Sequence, residues 1–333
     1  MSNHSQGTLI LTRGEVTELL DLNACIEAVE RAFRVHGEGA APDPAMLGIH
    51  VAGGAFHVKA GVLDLGRSYF VAKTNANFMN NRTQFGLPTI QGTIGLFDAD
   101  NGVPLAVMDS IEISIQRTGA ATAIAAKYLA RPDSTVAAVA GCGEQGRVQL
   151  RAVATVLPLK TAYVWDIDRT RADTLAAELG DELGCTITVV DDFASATRNA
   201  DVCITCTPSR EYLLSDEDVR PGTLVAGVGV DDPEKKELDP ALMAASTIVV
   251  DVLEQCATIG DLHHALESGV VTREDVHAEL GAVVAGRTPG RTEEDEIVVF
   301  DSTGMALQDA ATTALVYERA LTTGAGRVID FGS

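Results

Sequence analysis

Between Thr135 and Leu157 an apolar run ends in glycines and the chain restarts as a helix. Thr135–Gly141 reads TVAAVAG, which is a buried strand. Gly141-Cys142-Gly143-Glu144-Gln145-Gly146 follows it directly, and GRVQLRAVATVL continues with helical spacing. A G-x-G-x-x-G pattern alone is weak evidence, but a strand before it and a helix after it supply the context a dinucleotide site needs. The first glycine permits the tight turn, the second lets backbone approach a pyrophosphate, and the third lets helix and strand sit close. Glu144 and Gln145 open the helix, whose unbonded N–H groups suit phosphate. The next strand, TAYVWD, ends at Asp166, twenty residues beyond Gly146. An acidic side chain there binds ribose hydroxyls and repels a 2′-phosphate, which favours NAD over NADP. Arg169 stands close enough in sequence to receive such a phosphate, and Thr207 follows a later strand of the same region.

The same alternation continues. RTRADTLAAELG is a helix, ITVVD a strand and FASATRNA a helix, followed by the strands DVCITCT, LVAGVGV, TIVVDV and IVVFDSTG. Strands that alternate with helices imply right-handed crossovers and a parallel, doubly wound, Rossmann-type sheet. The N-terminal third lacks this rhythm. VTELLDLNACIEAVERAFRVHGEG reads as one helical segment. MLGIHV, AFHVKAG, YFVAKTNA, TIGLFDA and NGVPLAVMD then read as strands, with Asp100-Asn101-Gly102 as a hairpin turn. SIQRTGAATAIAAKYL is an Ala-rich helix, and ALQDAATTALVYERAL is a long amphipathic one expected to pack back on the N-terminal part. The expected fold class is therefore α/β, with a Rossmann-type domain (119–305) inserted in an α+β domain (1–118 and 306–333).

Composition narrows the function class. With a formal net charge of −22 over 333 residues, the chain lacks the clustered cations that neutralise nucleic-acid phosphates. The N-terminus shows no basic segment followed by a long apolar one, and no run approaches the length of a membrane span. Six scattered cysteines give no disulfide framework. Cys203 and Cys206 lie three apart on a strand and point to opposite faces, which argues against a shared metal. No metal is expected, and the reducing cytoplasm is the expected compartment.

Chemistry needs ionisable groups at strand ends and near the substrate. GVGVDDPEKKELD places Asp231 and Asp232 just beyond an apolar strand, where a catalytic acid/base and a solvated Asp-Asp-Pro turn are both open readings. Asp251 is a second strand-end acid, better suited to capping. In the N-terminal part, Lys59 and Lys73 lie within apolar strand patterns, where a charge without a counter-ion is costly. Arg117 lies among small residues that leave a guanidinium room for a carboxylate. His57 alternates with Lys59 on one strand face. His263 and His264 lie on a polar helix and read as solvated, and His277 reads as structural.

RTGAATAIAAKYLAR, GCGEQGRVQL, GVGVDDPEKKELD and VFDSTGMALQD occur in one order, and together they resemble the ornithine cyclodeaminase/μ-crystallin family over nearly the whole chain. TPSREYLL and FDSTGMALQD resemble the archaeal-type alanine dehydrogenases of that family most. The resemblance implies a homodimer, with the N-terminal segment and last helix forming a substrate-binding and dimerisation domain around the NAD-binding insert. It implies hydride transfer at Cα of a small L-amino acid or its imine. Lys73 and Arg117 match the family's carboxylate-binding residues, and Asp231 matches the acid that handles the amine and the attacking water. Asp232 falls where the family varies. Two departures stand out. The family's cyclodeaminases carry an arginine in the segment matching PDPAMLGIH and a glutamate near His57, and neither is found here. Lys59 supplies positive charge instead. An amino-acid dehydrogenase or imine reductase is the leading expectation. A cyclodeaminase using NAD catalytically, and a nucleotide-dependent binding protein, are the alternatives.

Overall fold

The computed structural model describes residues 7–229 and 233–331. The chain forms two compact units, one of Met1–Arg117 with Met305–Ser333 and one of Thr118–Gly304. The first unit opens with β1 (Thr8–Leu11), α1 (Arg13–Leu19) and α2 (Leu22–Gly37). The sequence pattern predicts one helical segment here, and the structure breaks it at Leu20–Asp21. Leu20, extended, ends the first helix, and Asp21 begins the next: its carboxylate accepts the Ala24 N–H at 2.9 Å, a donor that an unbroken helix would have used otherwise. Thr12 and Glu15 form a capping box on α1. Next come β2 (Ala45–Val51), β3 (Gly54–Asp64), β4 (Ser68–Asn77), α3 (Asn81–Phe85), β5 (Ile90–Asp98) and β6 (Pro104–Asp109). The expected turn at Asp100–Gly102 joins β5 to β6, with Gly102 in the left-handed region at φ 76°. The helix α4 (Ile111–Leu129) then carries the chain into the second unit.

The second unit contains β7 (Val136–Ala140), α5 (Glu144–Val156), β8 (Thr161–Trp165), α6 (Arg169–Leu183), β9 (Thr186–Val189), α7 (Phe193–Thr197) and β10 (Val202–Thr205). It continues through β11 (Leu224–Val228), α8 (Pro240–Ala244), β12 (Thr247–Val250), α9 (Leu253–Ile259), α10 (Asp261–Ser268), β13 (Val276–Glu279), α11 (Leu280–Val284) and β14 (Val298–Ser302). Its eight strands lie in the order β13-β12-β14-β11-β10-β7-β8-β9, and every pair is parallel. The order reverses between β7 and β10, the switch point at which doubly wound sheets bind ligands. β7, β10, β11 and β14 are almost wholly buried, as strands covered by helices on both faces must be.

The last helix, α12 (Ala306–Thr323), and β15 (Arg327–Ile329) return to the first unit. The seven strands there run β15-β1-β6-β5-β4-β3-β2, antiparallel except for the parallel pair β1–β6. As expected, α12 packs on this unit, against β3, β4 and α2. Its approach to β3 is close: a Cβ at Gly61 would stand 3.2 Å from the Ala306 methyl.

Candidate active site

In the first unit, one face of the β3–β4 pair collects the predicted cations. Alternation along β3 buries His57 and Lys59, and along β4 it buries Lys73. The antiparallel register sets Lys59 opposite Lys73 and His57 opposite Asn75. Arg117 reaches the same cluster from α4. Two buried ammonium groups and a buried guanidinium are unstable without a counter-charge. The answer comes from α12: Lys73 Nζ lies 2.8 and 2.7 Å from the two carboxylate oxygens of Asp309, and Arg117 Nε lies 3.2 Å from Asp309 Oδ1.

Neighbouring polar groups complete the cluster. Arg117 Nη1 donates to Gln308 Oε1 at 3.0 Å. Lys73 Nζ also donates to Ser114 Oγ at 3.2 Å, and Ser110 Oγ donates to Asn75 Oδ1 at 2.6 Å. Among the described residues, Arg117 Nη2 has no hydrogen-bond partner. Burial, opposed by Asp309 and reinforced by Arg117 and Lys59, pulls the Lys73 ammonium down to about 7. Asp309 is held below its ordinary carboxylate range: burial would raise it, but Lys73, Arg117 and Lys59 together outweigh that. Lys73 and Arg117 thus share one carboxylate, which leaves the pair with positive charge for an anion.

The second unit builds a different constellation at its switch point. Gly141 takes φ 96°, and a Cβ there would meet the Cys206 carbonyl oxygen at 2.9 Å. A Cβ on Gly146 would fall 1.9 Å from the Gly141 carbonyl oxygen, so no other residue fits. Nothing lies within 4 Å of a Cβ built on Gly143. Gly143 is also the N-cap of α5, with no side chain bonding the first N–H groups. Open space at the second glycine and an uncapped helix start are what a pyrophosphate requires, so the residues present fit a dinucleotide. Glu144 and Gln145 form the first turn of α5, with Gln145 bonded to Gln149.

Asp166 ties the loop to β8, since its carboxylate accepts the Cys142 N–H at 2.8 Å and the Asp168 N–H at 2.9 Å. Arg147, which no motif singles out, pins the loop from the other side by donating to the Cys142 carbonyl at 2.6 Å. Arg169 is engaged by Asp191 and lies 3.8 Å from Asp173, so local carboxylates balance its charge. Thr207 stands just past β10 beside Gly141, and both its N–H and its hydroxyl donate to Glu237, at 2.8 and 2.7 Å.

Asp231 and Asp232 lie outside the described residues. On either side of them, Gly229 N–H bonds the Ser302 carbonyl, and Lys235 Nζ reaches back to the Val228 carbonyl at 2.7 Å. Lys235 is buried beside Glu237 at 3.0 Å, so it is a structural clasp and not a solvated turn lysine. Asp251 is fully buried and caps the end of β14 through Thr303 and Gly304. His263 and His264 are half-buried, contrary to the solvated expectation, because each ring bonds a backbone carbonyl, of Ala257 and Lys235 respectively. His277 bonds the Pro289 carbonyl at 2.9 Å.

Residues 6–324 match the model of the ornithine cyclodeaminase/mu-crystallin family. The chain belongs to that family. Within it, the chain is 38% identical to an alanine dehydrogenase of Archaeoglobus fulgidus, over 97% of this chain and 98% of that protein. An archaeal alanine dehydrogenase dimer with bound NAD superposes with a TM-score of 0.93, at 38% identity over 97% of this chain and 99% of that one. The Δ1-pyrroline-2-carboxylate reductase of Thermococcus litoralis, solved with NADH and L-proline, superposes at 0.91, with 34% identity over 97% and 100% of the two chains.

Proposed function

We propose that this family member is an NAD(H)-dependent oxidoreductase that acts at Cα of a small L-amino acid or its imine. One observation carries the substrate side: two buried cations, Lys73 and Arg117, divide a single carboxylate. The relatives' chemistry points the same way, since alanine, proline and pyrroline-2-carboxylate all carry a carboxylate beside the reacting carbon. The glycine loop with its open second glycine supports NAD, and the carboxylate of Asp166 beside it favours NAD over NADP.

Lys73 and the free edge of Arg117 hold the substrate carboxylate, Arg117 in the planar geometry that a guanidinium offers. This fixes the orientation of Cα, and orientation is worth several kcal/mol of a barrier. His57 and Lys59, on the same strand face, bound the remainder of the substrate site. Asp231 takes a proton from the substrate ammonium, because only a neutral amine can release hydride, gives that proton up to solvent, and then as a carboxylate accepts a proton from the water that attacks the imine. The nicotinamide supplies the hydride acceptor, or the donor in the reverse direction. The first unit serves as the substrate and dimerisation domain and the second as the NAD domain.

The reading extends to the whole protein as a homodimer of the cytoplasm. All six cysteines are free thiols, which suits a reducing compartment. Among the described residues, no helix is long and apolar enough to cross a membrane. The deciding experiment is turnover of a panel of L-amino acids and cyclic or open imino acids with NADH and NADPH, with free ammonia followed in parallel. Asp231→Ala is expected to lower kcat by at least about 10³-fold while NADH still binds. Near-normal turnover in that variant would remove Asp231 from the mechanism.

A further inference from the structure

Neither the family motifs nor the expected mechanism gives Asp309 a role, yet it is fully buried at the centre of the cation cluster, more deeply than Lys73, Lys59 or Arg117. It lies on α12, where Ala306, Thr312, Thr313 and Val316, its neighbours one and two turns away, are all buried. Its Thr313 neighbour donates to its backbone carbonyl, so the helix itself is locally tied at this point. Among the described residues, the carboxylate touches no backbone donor. It is spent wholly on Lys73 and Arg117.

We propose that Asp309 is a positioning residue for the reaction: it holds Lys73 and Arg117 as a fork and keeps the lysine cationic, so that a substrate carboxylate meets a charged and oriented pair. This rests on the reading of Lys73 and Arg117 as the carboxylate site. Three observations support it. Asp309 approaches Lys73 Nζ with both oxygens, at 2.7 and 2.8 Å, which fixes the end of a side chain that four rotatable bonds would otherwise leave loose. It approaches Arg117 on the Nε edge at 3.2 Å, while Gln308 holds Nη1, and the Nη2 corner stays open to a ligand. Third, a buried lysine with Lys59 directly across the strand pair and Arg117 nearby would shed its proton without a nearby anion.

The last point gives a measurable sign. Asp309 raises the lysine's proton affinity, whereas burial, Arg117 and Lys59 lower it, and the balance stands at about 7. Removing the anion therefore moves Lys73 deprotonation to lower pH. The other groups in the cluster do not reverse this. Cys25, on α2 beside Thr312, is pushed up to about 12 by burial and stays neutral. His57 lies on the same buried face of β3 as Lys59.

The test is calorimetric titration of the full-length protein with pyrrole-2-carboxylate, a planar carboxylate that cannot be reduced by simple hydride transfer, from pH 6 to 9. Steady-state kinetics on the best amino acid run alongside. In wild type, affinity is expected to fall as pH rises past about 7. In Asp309→Asn, affinity and KM are expected to worsen at least tenfold, the fall is expected to begin about one pH unit lower, and NADH affinity is expected to stay within twofold. A purely structural role would cost stability without moving the pH dependence. Ligand affinity within twofold of wild type and an unmoved pH dependence would overturn the proposal. If Asp309→Asn does not fold, Asp309→Glu decides. It keeps the charge and displaces the fork, so the proposal predicts a loss of at least fivefold with the wild-type pH dependence, and it falls if affinity stays within twofold. Absence of both binding and turnover in wild type would overturn the carboxylate-site reading and this inference with it.

Discussion

At the scale of single residues, the glycine loop is where the least chemical change has the largest consequence. Adding one methyl at Gly146 places a carbon 1.9 Å from the Gly141 carbonyl oxygen, and backbone cannot yield as a flexible side chain would. The helix α5 must then move away from β7, and its first N–H groups move with it. Gly146→Ala is expected to weaken NADH binding at least tenfold, about 1.4 kcal/mol, as read by nucleotide fluorescence. Carboxylate binding by the first unit should be unchanged. Unaltered NADH affinity would show that the loop is not where the nucleotide sits. Lys59, Lys73 and Arg117 were legible in the sequence for an elementary reason, since a cation in an apolar strand or among small helix residues demands an anion. The identity of that anion was not legible. Asp309 lies 236 residues from Lys73, and only the docking of α12 brings them together. The signal was present in ALQDAATTALV, a carboxylate inside an apolar helix face, but no local pattern says which cation it answers.

At the scale of elements, alternation of strand and helix marked out every strand of the parallel sheet except β13: β7, β10, β11 and β14 are apolar runs buried on both faces, whereas β8 and the edge strand β9, less buried, are marked by the helices that flank them. The strands β1 and β15 were missed for the opposite reason. They are four and three residues long, and β15 is exposed, so its existence depends on pairing with a segment more than 300 residues away. The break between α1 and α2 was hidden because the apolar spacing runs through it and only the Asp21 cap interrupts it. A less visible element-level device is Asp261 at the start of α10, whose buried carboxylate accepts the N–H groups of Glu237 and Leu238 at 2.8 and 3.1 Å. Burial first, then the charge of Glu237, raises it to about 6, against the two backbone bonds and Lys235, and nearby Asp301 is raised as well. A carboxyl whose folded value is raised binds its proton more tightly in the folded state. Its favourable contribution is therefore present near pH 4 and is lost as pH rises through about 6. Asp261→Asn keeps an acceptor oxygen and has no charge to bury. Relative to wild type it is expected to gain on the order of 1 kcal/mol between pH 4.5 and 8, about 2–4 °C in Tm. A gap between the two melting curves that stays constant with pH would contradict this.

At the scale of the whole molecule, the seven-stranded sheet ends in an edge that a lone chain would manage badly. Apart from half-buried Met46, β2 is exposed along its length, and alternation puts Leu47, Ile49 and Val51 on one face. The register continues this face into β3, where Val58 pairs with Leu47 and Phe56 with Ile49. Phe56 in turn packs edge-on against Phe78. Exposed apolar side chains on an edge strand with free backbone donors and acceptors invite pairing with another chain, and contiguous apolar patches of this kind mark interfaces. The archaeal relative solved with NAD is a dimer. A second copy seated on this face would bury the side chains that the fold leaves in water, and removal of apolar surface from water is the main favourable contribution to association. Light scattering on the wild-type protein should therefore give twice the chain mass. Leu47→Lys with Ile49→Lys places two ammonium groups on the outer face of β2 and leaves the inward face, with His57, Lys59 and Lys73, untouched. The double variant is expected to run as a monomer at micromolar concentration, with its circular dichroism preserved. If it keeps the wild-type mass, the chains meet elsewhere, and the apolar edge must be assigned to a different partner.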